Sequence, residues 1–135
     1  TERLRRISLA AGDSVKILSV VDMAYPRAID IYGGYIPDTS ELEKATRENA
    51  ERIVEAAKNK LDGVFAGKGV EITTDVPFGS PDSRIVEIAE EFGADLIVLG
   101  SHGYKQWERL LLGSVSNSVA HHAHCSVLIV RSPAE

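Results

Sequence analysis

From Ala94 to Gly103 the chain reads Ala-Asp-Leu-Ile-Val-Leu-Gly-Ser-His-Gly, and nine residues later it continues Gly113-Ser114-Val115-Ser116. Leu96 to Leu99 is an unbroken apolar run ending in a glycine, the pattern of a parallel strand buried on both faces rather than a one-sided antiparallel strand. In an open α/β sheet, ligands sit in the crevice beyond the carboxyl ends of the strands. Gly100 and Gly103 can take φ > 0 and let backbone N–H groups approach an anion with no Cβ in the way. A helix beginning near Ser114 turns its first N–H groups and positive dipole end into the same crevice. The stretch reads as a phosphate cradle. The plainer alternative is a tight turn and a helix cap that bind nothing, because Gly and Ser are favoured in both.

The full spacing is Gly100, two residues, Gly103, nine residues, then Gly113-Ser114. Placed directly after a buried strand and running into a helix start, it resembles the nucleotide-binding signature of the ATP-binding branch of the universal stress proteins. The resemblance extends from about Asp13 to Pro133. It implies an α/β fold: an open, mainly parallel, Rossmann-like sheet flanked by helices, with strand order 3-2-1-4-5. It also implies ATP as the ligand, with or without Mg²⁺. Carried over by motif, Gly100, Gly103, Gly113, Ser114 and Ser116 hold the phosphates, Ser114 and Ser116 by their hydroxyls, and the backbone at Val20 reads adenine.

At 135 residues and 44% hydrophobic content, the chain fits a single domain, residues 1–135, able to bury a real core. Fifteen Lys and Arg against twenty Asp and Glu give a formal net charge of -5. That balance argues against a nucleic-acid backbone or an anionic membrane as the main partner. No apolar run approaches the roughly 20 residues that span a bilayer, and Thr1 to Ala11 is too short in apolar core for a secretory signal. The expected compartment is the cytoplasm, in agreement with a lone Cys125 that has no internal disulfide partner.

Leu4, Ile7 and Leu9 to Ala11 fit either the tail of an amphipathic helix or a short strand over Arg6 to Ala11. Val15 to Val21 reads as a buried parallel strand with Asp22 at its polar end, and it resembles the family's second strand rather than its first. Thr1 to Asp13 is too short for both a strand and a crossover helix, so a first strand or first helix is expected to be missing, with a spatial gap near Gly12 to Ser14 if the start is a strand. The aspartate that ends the family's first strand is accordingly not assigned to Asp13. Met23 to Asp38, with Pro26, Pro37, Gly33-Gly34 and Tyr25, Tyr32 and Tyr35, reads as a long loop whose tyrosines either stack on a base or simply pack.

Ser40 and Glu43 form a capping box that opens the longest helix. Leu42, Ala45, Ile53, Ala56-Ala57, Leu61 and Val64-Phe65 are its expected apolar stripe, and Gly67 and Gly69 its stop. Val70 to Val76 alternates like a strand with one face exposed, suited to a sheet edge. Ser80 caps a helix with Pro81 at its first position, a turn that also resembles the family pattern; Ile85, Ile88, Ala89 and Phe92 are its stripe and Gly93 its end. After the glycine segment, Val115, Val119 and Ala120 line a last helix, and Val127 to Val130 is a last buried strand. Strands alternating with helices point to a parallel sheet. The terminal strand leaves an edge of unpaired backbone groups, and self-pairing through Val127, Leu128, Ile129 and Val130 would give a homodimer, as the resemblance also implies.

His121, His122, His124 and Cys125 do not make a convincing metal site, since structural zinc needs four converging ligands. The histidines suit the negative end of a helix dipole. His102 either donates to a phosphate or faces water; Lys105 and Arg109 could add charge near a triphosphate, with Trp107, Leu110 and Leu111 as anchors. No Ser-His-Asp or Cys-His arrangement is legible and no lysine stands in a Walker-type position. The expected function is a nucleotide-binding module or switch in a stress response. The alternatives are a slow ATP-hydrolysing or self-phosphorylating protein using the same cradle, and a nucleotide-independent dimeric interaction module.

Overall fold

The computed structural model describes residues 7–22, 40–100 and 113–131. The chain divides into two compact units, Thr1–Gly79 and Ser80–Glu135.

The first unit is a strand, helix, strand module: β1 (Ser14–Leu18), α1 (Ser40–Val64) and β2 (Glu71–Asp75). The strands are parallel, with Val15 opposite Ile72 and Ile17 opposite Thr74. Pairing runs past the strand ends, because Ser19 N–H donates to Asp75 O at 3.2 Å and Val21 N–H to Pro77 O at 2.8 Å. Along β2 Ile72 is buried and Glu71, Thr73 and Asp75 are exposed, which is the alternation its sequence carries. The core centres on Leu61, Phe65 and Ile72, with Leu9, Val15, Ile17, Val64 and Val70 packed against it.

The buried face of α1 differs from the expected stripe. Ala50, Val54 and Leu61 are buried within the helix and Phe65 just after it. Those spacings keep to one face at 100° per residue. Ile53 sits a full 100° from Val54 and is 43% exposed, and Leu42 is 51% exposed. Alongside the buried face run pairs four residues apart, Arg47 with Glu51 at 3.2 Å and Lys58 with Asp62 at 2.8 Å. Such solvated pairs contribute little to stability. The hydrogen bond that it donates to Asp62 holds the Lys58 ammonium above its usual pKa.

Beyond α1 the chain reverses through Gly67 and Gly69, both left-handed at φ +75° and +72°. A Cβ on Gly69 would lie 3.2 Å from the Cβ of Ala11, so this turn and the turn before β1 pack closely where glycine leaves the room. The Gly12 N–H donates to Gly69 O at 3.1 Å, and Asp13 closes its own turn by accepting from the Ala10 N–H at 2.8 Å. Of the two alternatives for the start of the chain, the strand is not found among the described residues 7–11, and the gap that it would have required does not arise, the backbone running on through Gly12 to Ser14. Leu9 packs on the core cluster and the Asp13 turn feeds directly into β1.

The second unit contains α2 (Pro81–Phe92), β3 (Leu96–Gly100), α3 (Ser114–His122) and β4 (Ser126–Val130). β3 and β4 are parallel, from Leu96 opposite Ser126 to Gly100 opposite Val130. Ser80 occupies the N-cap position of α2 and Pro81 starts it, but the Ser80 hydroxyl donates to Asp82 Oδ1 at 2.7 Å instead of capping a backbone N–H. Gly93, at φ 70°, ends α2 with its N–H turned back to the carbonyls of Ala89 and Glu90. Phe92, expected on the buried stripe, is 37% exposed, whereas Ile88 is buried.

Burial on both faces of β3 is not what the structure has. Ile97 is buried and Leu99 half-buried, while Leu96, Val98 and, across the pair, Leu128 are exposed. An unbroken apolar run cannot show which of its two faces will be covered, because both read alike. Among the described residues the strands form two parallel pairs, β1–β2 and β3–β4. If these four are numbered 2 to 5, as the resemblance has them, the pairs are the 3-2 and 4-5 halves of the expected order. The loop at 23–38 lies outside the described residues.

Candidate functional site

α3 begins at Ser114 because Gly113 holds an extended conformation, φ −61° and ψ 157°, as an N-cap residue does. Gly113 has no side chain with which to cap, and the first intrahelical donor is the Asn117 N–H, which reaches Gly113 O at 3.0 Å. Helical geometry gives the Ser114 and Val115 amides no acceptor within the helix, so they point out of its end with the positive dipole. Ser114 is exposed beside them. A φ of −61° is open to any residue, so Gly113 is not required for a left-handed turn. What its lack of a side chain provides is a helix start with no side-chain cap on the first-turn amides.

Gly100 is the last residue of β3, paired with Val130, and it is extended there instead of taking the positive φ expected of it, because the ladder holds it in the strand. Ser116 is 2% exposed and its Oγ donates to Gly100 O at 3.2 Å, joining the first turn of α3 to the end of β3. The structure therefore brings Gly100, Gly113, Ser114 and Ser116 together within the second unit. Gly103 lies outside the described residues, as do His102, Lys105, Trp107 and Arg109. Val20 belongs to the first unit, just beyond β1, and is half-buried. Ser19 and Val21 both direct their N–H groups toward the extension of β2. The alternation of an extended chain then turns the N–H and C=O of Val20 toward the other edge.

One polar cluster is not readable from the sequence. Asp82, in the first turn of α2, accepts from Ser80 Oγ at 2.7 Å and, across 36 residues, from Ser118 Oγ of α3 at 2.8 Å. These hydroxyls, Ser80 first and then Ser118, with the Ser83 backbone N–H, bring the Asp82 pKa down to about 2. A carboxyl lowered on folding adds stability above its unfolded pKa near 3.8, and that contribution is lost as pH falls toward 2. His122 Nδ1 lies 2.8 Å from Ser118 O and 3.5 Å from Ser118 Oγ. His124 faces Glu90 at 3.8 Å, with both side chains largely exposed. Among the described residues no three His, Cys, Asp or Glu side chains converge as metal ligands, and no helix is long and apolar enough to cross a membrane.

Parallel strand pairs joined through helices, with a glycine-opened helix start beyond a strand end, describe a Rossmann-like α/β protein. Residues 2–131 match the universal stress protein family, and the chain belongs to that family. Two universal stress proteins of Methanocaldococcus jannaschii, MJ0531 and MJ0577, are 36% and 30% identical to it over 112 and 126 residues. The matched segments cover 77% and 89% of this chain, and 66% and 78% of theirs. The solved structure of MJ0577 superposes with a TM-score of 0.77 at 28% identity, covering 99% of this chain and 86% of that one. A universal stress protein family member from Arabidopsis thaliana, solved with AMP bound, has the same fold: TM-score 0.62, 19% identity, with 93% of this chain and 69% of that one covered.

Proposed function

We propose that this universal stress protein is a cytoplasmic ATP-binding module, a switch in a stress response, with the nucleotide's phosphates at the start of α3. The observation that carries the reading is Gly113: within the Gly100, Gly103, Gly113-Ser114 spacing, it leaves the helix end without a side-chain cap. A phosphate there meets first-turn N–H groups, the dipole and the exposed Ser114 hydroxyl together. Gly103 and the Val20 backbone, the latter for adenine, are assigned from the family resemblance. The reading is of binding, with a slow ATP-hydrolysing or self-phosphorylating protein using the same site as its alternative; turnover would need a general base and a metal-binding acid beside the phosphates.

Calorimetric titration of nucleotide-stripped protein with ATP, with and without Mg²⁺, tests the site. Wild type should bind, and Ser114→Ala should weaken binding by about 1 kcal/mol, roughly fivefold, because one hydroxyl is lost and the amides stay. An absence of heat and of competition by ATP in the wild type would overturn the reading.

We also propose a homodimer through β4. Among the described residues β4 pairs only with β3, and Val127 to Val130 is uniformly apolar. Pairing with a second copy would satisfy the backbone groups of its other edge. Sedimentation equilibrium should return twice the chain mass at micromolar concentration; a monomer would overturn this assignment and leave ATP binding untouched.

A further inference from the structure

We infer that Ser116 and the Ser118–Asp82 pair are positioning residues that fix α3 in place for phosphate binding, an inference resting on the reading that phosphates bind at its start. The sequence of α3, Ser-Val-Ser-Asn-Ser-Val-Ala-His-His, is poor in helix formers, with Ala120 alone among the strong ones. Its N-cap is a glycine without a side-chain bond. A short helix of this composition is not stable by itself, so tertiary contacts must hold it.

Three contacts do so from different directions. Val119 is completely buried. Ser116 Oγ reaches back 16 residues to Gly100 O at 3.2 Å, tying the first turn to the end of β3. Ser118 lies about 200° around the helix from Ser116. Its Oγ reaches Asp82 Oδ2 at 2.8 Å, tying the second turn to the start of α2. One tether sets how far the helix start lies from the strand end and the other sets its rotation. Both quantities decide where the Ser114 and Val115 amides aim. Serine inside a helix is otherwise a poor choice, and here both interior serines bond to elements remote in sequence.

The experiment compares wild type with Ser116→Ala, Ser118→Ala, Ser116→Thr and Ser118→Thr, each checked for folding. It reads ATP and adenosine affinity by calorimetry and amide exchange at Asn117, whose N–H bonds Gly113 O, in nucleotide-free protein. Each alanine variant should bind ATP about tenfold more weakly. Adenosine affinity should be unchanged, and Asn117 should exchange faster than the amides of β3. The threonine variants, which keep the hydroxyl, should restore ATP affinity. A merely structural role would lower the melting temperature without separating ATP from adenosine. Unchanged ATP affinity in both alanine variants overturns the inference, as does equal weakening of ATP and adenosine. Should wild type bind no ATP, the phosphate reading itself fails; the exchange arm still reads the tethers, and unaltered Asn117 exchange in both alanine variants overturns them separately. If Ser116→Ala does not fold, the Ser118 variants carry the same tests at the half-buried tether.

Discussion

Gly113→Asp is expected to stabilise the protein slightly while cutting ATP affinity about a hundredfold or more. Aspartate is among the best N-cap residues, and the Gly113 backbone at φ −61° and ψ 157° already has the cap conformation. Its carboxylate would accept the first-turn N–H groups of α3 and meet the positive dipole end, together worth on the order of 0.5–1 kcal/mol over glycine. The same carboxylate would occupy the donors that a phosphate needs and place a negative charge within reach of it. Two like charges about 4 Å apart at an effective dielectric near 20 repel by roughly 4 kcal/mol, which outweighs the gain several times over. Gly113→Asn separates the two effects, since it caps without charge and should cost only about tenfold in affinity. Thermal melts and ATP titrations of the three proteins are the measurement. An aspartate variant that binds ATP as wild type does would remove the phosphates from this helix end.

That opposite-signed pair of effects depends on a detail that the sequence conceals. A Gly-Ser pair before an apolar-periodic segment marks the helix start at Ser114, which the structure has. It does not disclose whether the glycine is there for a left-handed turn or for an open helix end, and only φ decides. Element positions were legible wherever one local signal sufficed: Ser40 opening α1, Pro81 starting α2 and Gly93 closing it all lie where the sequence places them. Burial was less legible. Ile53 and Val54 are adjacent and both apolar, and the difference of 100° between them is settled by what the helix packs on. Leu96 and Val98 belong to a run with no polar face to mark the exposed side. The polar cluster was not legible at all, because nothing in the residues around Asp82 announces a partner at Ser118. The hydroxyl of Ser116, assigned to phosphate by motif, is found bonded to Gly100 O, a contact between the two ends of the motif itself.

The largest stability effect is expected at Leu61. Leu61 is 4% exposed, at the centre of the cluster with Phe65 and Ile72, where α1 meets the β1–β2 pair. Leu61→Ala removes buried methyl and methylene groups and leaves a cavity that surrounding side chains refill only in part. Comparable core truncations cost about 2–5 kcal/mol. With a urea slope on the order of 1–3 kcal/mol per molar, the midpoint should fall by at least about 0.7 M. Leu42→Ala is the informative control, because the sequence places Leu42 on the same stripe while the structure leaves it 51% exposed. A surface truncation of that kind changes stability by roughly 0.5 kcal/mol at most. Urea unfolding followed by far-ultraviolet circular dichroism measures both. If the two variants shift the midpoint equally, the buried face of α1 includes Leu42, and the helix is rotated from the position that Ala50, Val54 and Leu61 define.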